Sequence, residues 1–265
     1  MSSIRVRSAS GVAVITLARP EVRNALTGEE MLEELLDAIQ DAEDDPEVGV
    51  LVIEAEGPAF SSGGNVKDMA AKEGLFAGNP AELTERYRGT IQQLTRYLAT
   101  TDLITIAAVD GPAIGAGFDL VLGCDLRIGT PRASFAHTFI EMGIIPGDGG
   151  AWLLPRVVGW QRATELALTA RRVEAEEAVA IGILLEVVSG TAIEERVMGL
   201  ARAIASKPRP AVTLAKRLLR LARNMDLDAF LELSAALQAV AHSTPEHEEA
   251  VAGYLARLQD RDPAS

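Results

Sequence analysis

A chain of 265 residues, 48% of them hydrophobic, is long enough to bury one large core. Its single cysteine, Cys124, excludes an internal disulfide and a thiolate cluster, and three histidines leave no histidine-rich metal site, so no metal is expected and a reducing, cytoplasmic setting is. A formal net charge of −13 excludes a general nucleic-acid binder, although a local basic patch can still hold an anionic ligand.

From the N-terminus, the period-2 runs SIRVRSA and GVAVITLA flank Ser10-Gly11 and predict a hairpin, without the uninterrupted apolar core of a signal peptide. TGEEMLEELLDAIQDAEDD then places apolar residues at helical spacing and acids on the other face. The strand VGVLVIEA runs into a glycine-rich loop, FSSGGN, and a helix is predicted across AELTERYRGTIQQLTRYLAT. A second strand, LITIAAVD, enters the turn GPAIGAG. This apolar stretch is long enough to span a bilayer, but Asp110, Pro112, Asp119 and its glycines exclude a membrane helix. A third unit runs from LRIGT and ASFAH through GDGGAWLLPRVVG to the helical QRATELALTA. Strand, loop and helix in repetition predict an α/β core, residues 1–200, with parallel strands. In the remainder, 201–265, strands stop and three helices are predicted: ARAIASKPRPAVTLAKRLLRLA, LDAFLELSAALQAVAHS and TPEHEEAVAGYLARLQDR. The pattern leaves open whether this tail covers its own core or another subunit.

The two glycine-rich turns are the places where bare backbone meets a strand end. Gly115 and Gly117 supply two positions of a dinucleotide fingerprint, but Leu120 occupies the third, and no phosphate-loop GK[ST] occurs, which excludes those nucleotide sites. What remains is an oxyanion site of peptide N–H groups at a helix start, or glycines that serve tight turns and packing. If the turns lie side by side, one N–H from each converges on a single oxygen, each worth ~3 kcal/mol in a dry site. Ser61 and Ser62 have no histidine–aspartate pair spaced to activate them, so a serine nucleophile is excluded.

The stretches RPEVRNALT, GPAFSSGGNVKDM, VDGPAIGAGFDLVLGCDLRIGT and GIIPGDGGAWLLPRVVG resemble, in order and spacing, successive motifs of the enoyl-CoA hydratase/isomerase (crotonase) superfamily. The resemblance implies a spiral of ββα units followed by a helical trimerisation region, and hence a homotrimer or a dimer of trimers. It implies an acyl-CoA thioester as substrate, with no separate cofactor. Carried over by position, the oxyanion hole falls on the backbone N–H groups of Gly64 and Ala116. Ser62, Asn65 and Val66 border the pocket, Val22, Arg23 and Lys67 approach the CoA moiety, and Tyr254 matches an aromatic near its adenine. For Arg23 and Lys67 a solvated surface charge, and for Tyr254 ordinary helix packing, remain open on the residues alone.

Hydratases of that family hold a water between two glutamates; here the first position is Asp119 and the second, twenty residues on, is Phe139. Glu141 reaches the site only if the local backbone departs from the family pattern. A single carboxylate suffices to move a double bond without adding water. Asp119, which dienoyl-CoA isomerases of the superfamily also carry, is one candidate base, with a helix-dipole role as the alternative. Asp148 is the other, one residue after a position where some isomerases hold an acid. The expected activity is enoyl-CoA double-bond isomerisation. Left open are hydration with Glu141, Asp148 or His137 replacing the missing glutamate, and a catalytically silent CoA-binding subunit.

Overall fold

The alternation in the first twenty residues becomes β1 (Ile4–Ala9) and β2 (Val12–Leu17), antiparallel across Ser10-Gly11, both at positive φ. The computed structural model describes residues 2–27 and 29–261. Strands β3 (Val50–Ala55), β4 (Ile104–Val109), β6 (Leu126–Gly129) and β9 (Glu186–Val187) extend this sheet in the order β1-β2-β3-β4-β6-β9, parallel from β2 onward. A second sheet joins β5 (Pro112–Ile114), β7 (Ser134–Ala136) and β8 (Val173–Glu174) in the order β5-β7-β8. Every residue of β2 is buried, as parallel strands covered on both faces require. The helix Glu29–Asp44 lays Met31, Leu32, Leu35 and Ile39 on the sheet, each such side chain contributing about 1.5–3 kcal/mol by leaving water.

Two predicted helices are each divided. The stretch 81–100 forms Pro80–Gly89 and Ile91–Thr100, broken at Thr90 (φ −126°, ψ −100°). An Asn79–Glu82 capping box starts the first, and Gly89 eases its end. The break lets Ile91, Leu94 and Leu98 turn into the core, while Pro80–Gly89 buries none of its residues. Likewise the first predicted tail helix is the end of Ile193–Ala205 and then Arg209–Leu221. Pro208 separates them, because it disfavours helical backbone at Lys207 and has no N–H to donate.

The chain divides into two compact units, one ending at Arg202 and the other beginning at Ala203. The second is helical: Arg209–Leu221, Leu227–His242 and Pro245–Arg261, with Leu219, Leu227 and Leu231 exposed. Among the described residues no helix is long and apolar enough to cross a membrane.

Candidate active site

The turns that leave β2, β3 and β4 form one wall, wired together by two buried polar side chains. Asn24, at φ 52°, accepts the Arg19 N–H at 2.8 Å and donates to the carbonyls of Glu56 (2.9 Å) and Ala59 (3.0 Å). Ser61 donates to the Asn24 carbonyl at 2.7 Å and accepts the Gly63 N–H at 3.1 Å. Ser61 also bridges to Ala113 in parallel fashion, which draws the FSSGGN loop onto the strand before GAG. Gly63, at φ 75°, closes the approach: a Cβ there would overlap the Ile114 carbonyl and lie 2.8 Å from the Ala116 nitrogen. The two glycine-rich turns therefore run side by side. Among the described residues no acceptor meets the N–H of Gly64 or of Ala116. Both residues line a cavity of about 550 Å³, a size that suits a small-molecule site.

Val22, Arg23, Ser62, Asn65, Val66, Lys67 and Phe139 line the same cavity, so the structure brings these sequence candidates together. Arg23 and Lys67 are exposed and make no ion pair among the described residues. Tyr254 lies in the second unit, exposed on the helix Pro245–Arg261.

The two candidate bases are placed differently. Asp119, in the first turn of the helix Ala116–Gly123, is buried and is not among the residues lining the cavity. Its Oδ1 lies 2.6 Å from His137 Nε2 and its Oδ2 accepts the Gly150 N–H at 2.9 Å. Asp148 does line the cavity, though it is only 6% exposed. Burial, with the Asp119 charge beside it, raises its carboxyl from 3.8 to about 7. Glu141 is exposed and lies outside the lining, and His137 is buried beneath Phe118 and Phe139 with ring centroids 4.9 and 5.7 Å away. Neither stands where the second glutamate would be needed. Phe139, which the motif resemblance aligns with that glutamate, lines the cavity and is 7% exposed.

The divided helix positions Asp148. From Ile91–Thr100, Gln92 Nε2 donates to the Gly147 carbonyl at 2.9 Å and Thr95 Oγ1 to the Asp148 carbonyl. Gly149, at φ 130°, passes so near Thr95 that a Cβ would meet its Cγ2 at 2.5 Å. From Pro80–Gly89, Tyr87 lines the cavity, its phenol raised by burial and by the charge of Asp148. Gln92, Tyr87 and Thr95 belong to no motif in the sequence; they come from the two helices on either side of Thr90.

A profile of the family described as enoyl-CoA hydratase/isomerase matches residues 7–261. The chain is 33% identical over 247 residues, 93% of each chain, to the 1,2-epoxyphenylacetyl-CoA isomerase of Escherichia coli. It is 32% identical over 246 residues, 92% of this chain and 91% of the other, to the crotonyl-CoA hydratase of Syntrophomonas wolfei. The crystal structure of an enoyl-CoA hydratase from Bacillus anthracis superposes with a TM-score of 0.89 at 30% identity, covering 96% of both chains. The crotonase-like fold expected from the motifs is the fold observed.

Proposed function

This chain belongs to the enoyl-CoA hydratase/isomerase family, and on that premise we propose that it moves the double bond of an enoyl-CoA thioester, with Asp148 as the one acid/base group. One observation carries the reading: of the two carboxylates among the described residues lining the cavity, Glu21 and Asp148, only Asp148 is buried. Glu21 is exposed and paired with Arg19.

The thioester carbonyl of a 3-enoyl-CoA accepts the N–H groups of Gly64 and Ala116. The Asp148 carboxylate takes a proton from C2, and the electrons of that C–H bond pass into the thioester to form a dienolate. The dienolate oxygen carries the new charge between the two donors, each worth ~3 kcal/mol in a dry site. Asp148 then returns the proton to C4, leaving the double bond between C2 and C3 and the carboxylate restored. A carboxyl raised to about 7 is half ionised near neutrality, which suits a group that must both take and give a proton. Addition of water needs a second such group, and Phe139 supplies none. Arg23 and Lys67, exposed at the cavity, hold the phosphates of CoA.

The test is a product mass. The protein is incubated in heavy water with 2-enoyl- and 3-enoyl-CoA of short and long chain. Deuterium uptake with a moved double bond, lost in Asp148→Asn, supports isomerisation. Gain of one water identifies a hydratase and overturns it, and no change in any substrate leaves a CoA-binding subunit without turnover.

A further inference from the structure

Asp119 stands at the position expected for a catalytic carboxylate, yet it is not among the residues lining the cavity. Its side chain is 2% exposed, against 1% for His137. Both oxygens are engaged, one by the imidazole and one by a peptide N–H. Gly150 could not carry a side chain, because a Cβ would overlap both carboxylate oxygens of Asp119. The backbone two residues past Asp148 is therefore pressed directly onto the Asp119 carboxylate.

The protonation of the pair follows from its partners. Nδ1 of His137 is buried with no hydrogen-bond partner. A buried N–H without an acceptor costs more than a bare ring nitrogen at the same place, so the neutral tautomer is favoured: Nε2 carries the proton and donates it to Asp119. Asp119 then accepts both hydrogen bonds, one from the imidazole and one from the Gly150 peptide, in a nearly dry setting.

We propose that Asp119 is a positioning residue for Asp148: a buried carboxylate, held by Gly150 and His137, that seats the 147–150 turn and sets the polar surroundings that Asp148 faces. This rests on the reading of Asp148 as the acid/base group. Without that carboxylate behind it, Asp148 would be a stronger acid, ionised at neutral pH but reluctant to take a proton from carbon. The groups facing Asp148 from the surrounding elements are Asp119, on Ala116–Gly123, and Tyr87, on Pro80–Gly89. His137 reaches it only through Asp119, and the other charged side chains lining the cavity are Glu21, Arg23 and Lys67. Of these, Asp119 is the one both buried and anchored to the turn itself.

The experiment is built around Asp119→Asn. In that variant His137 must change tautomer to accept from the amide, which leaves a buried Nδ1–H and endangers folding. The same substitution is therefore also made in a His137→Gln background, whose amide can turn to meet either partner. His137→Gln alone keeps the carboxylate and a donor to it, and serves as the reference. Two quantities are read: the pH profile of kcat/KM, and the titration of the Asp148 carboxyl followed by carbon NMR in the free protein, assigned by its loss in Asp148→Asn.

The expected result is an Asp148 titration, and with it the acid limb of the profile, displaced to lower pH by about one unit whenever Asp119 becomes Asn. It stays in place in His137→Gln. An Asp148 titration that does not move overturns the proposal and leaves Asp119 a packing residue. Turnover lost at every pH, with Asp148 titrating as before, also overturns it and makes Asp119 a group that touches substrate. If the titration moves but Asp148→Asn still turns over, the assignment of the base fails while the inference about Asp119 stands.

Discussion

Gly117 rests against Ser61 so closely that a Cβ on Gly117 would meet both the Cβ and the carbonyl oxygen of Ser61 at 2.6 Å. This contact sets the spacing between the turn holding Gly64 and the turn holding Ala116, whose N–H groups share one cavity. Gly117→Ala must push the turns apart. Removing one donor of such a pair costs about 10²–10³ in turnover, and a fall of that order in kcat is expected. Steady-state kinetics alongside a thermal melt check it, since a melt that collapses together with activity would locate the damage in folding instead.

Asp148 makes the folded protein less stable as pH rises. Its folded value of about 7 lies above the unfolded value of 3.8, so the unfolded chain releases this proton first. No penalty exists below pH 4. Between pH 4 and 7 it grows by about 1.4 kcal/mol for each pH unit, to a few kcal/mol in all. Asp148→Asn should abolish isomerisation, raise unfolding stability at pH 8 and leave it little changed at pH 4. Urea unfolding at the two pH values reads the difference.

The pH profile follows from the same carboxyl. A base that must be ionised in the free enzyme gives a kcat/KM rising tenfold per pH unit on the acid side and levelling near pH 7. A limb near pH 4 instead would mean that a solvated carboxylate does the work.

Arg23 and Lys67 should act on binding alone. Each lines the cavity from an exposed position, where an ion pair is worth about 0–1 kcal/mol. Arg23→Ala and Lys67→Ala should raise KM by up to about fivefold at low salt, leave kcat unchanged, and weaken the dependence of KM on ionic strength. A loss confined to kcat would place them nearer the reacting carbons.

Phe139→Glu puts a carboxylate at the position that the motif resemblance aligns with the second glutamate of the hydratases. The ring it replaces is nearly buried and sits edge-on to His137, so stability should drop by about 3 kcal/mol. If Asp148 can serve as the partner group, the variant adds water to a 2-enoyl-CoA; product mass decides.

Much of the fold could be read locally. Alternating residues in IRVRSA and VAVITL need only their neighbours to declare a hairpin, and the glycines at 63, 64, 115 and 117 mark the two turns by their lack of side chains. The choice between Asp119 and Asp148 could not be read that way. It depends on Gly150, thirty-one residues beyond Asp119, arriving to claim Oδ2, and on His137 claiming Oδ1. Tyr87 is equally silent in sequence: it lines the cavity from the helix that ends just before Thr90, within a stretch whose spacing predicts one continuous helix. Gly89 is the local sign of that break, and Pro208 of the one in the tail, but the continuous apolar spacing around each outweighs it.

The wiring of the first wall by Asn24 and Ser61 has a consequence for how the chain can change. Those hydrogen bonds tie residues 19–63 to one another and through Ala113 to the next turn, and none of them involves 137–150. The Gly64 turn is thus held by bonds that a substitution within 137–150 does not break, whereas the Ala116 turn is tied to that segment through Asp119, whose carboxylate accepts the Gly150 N–H. One side of the cavity can therefore tolerate change in the 137–150 segment better than the other: a substitution there reaches Ala116 before it reaches Gly64.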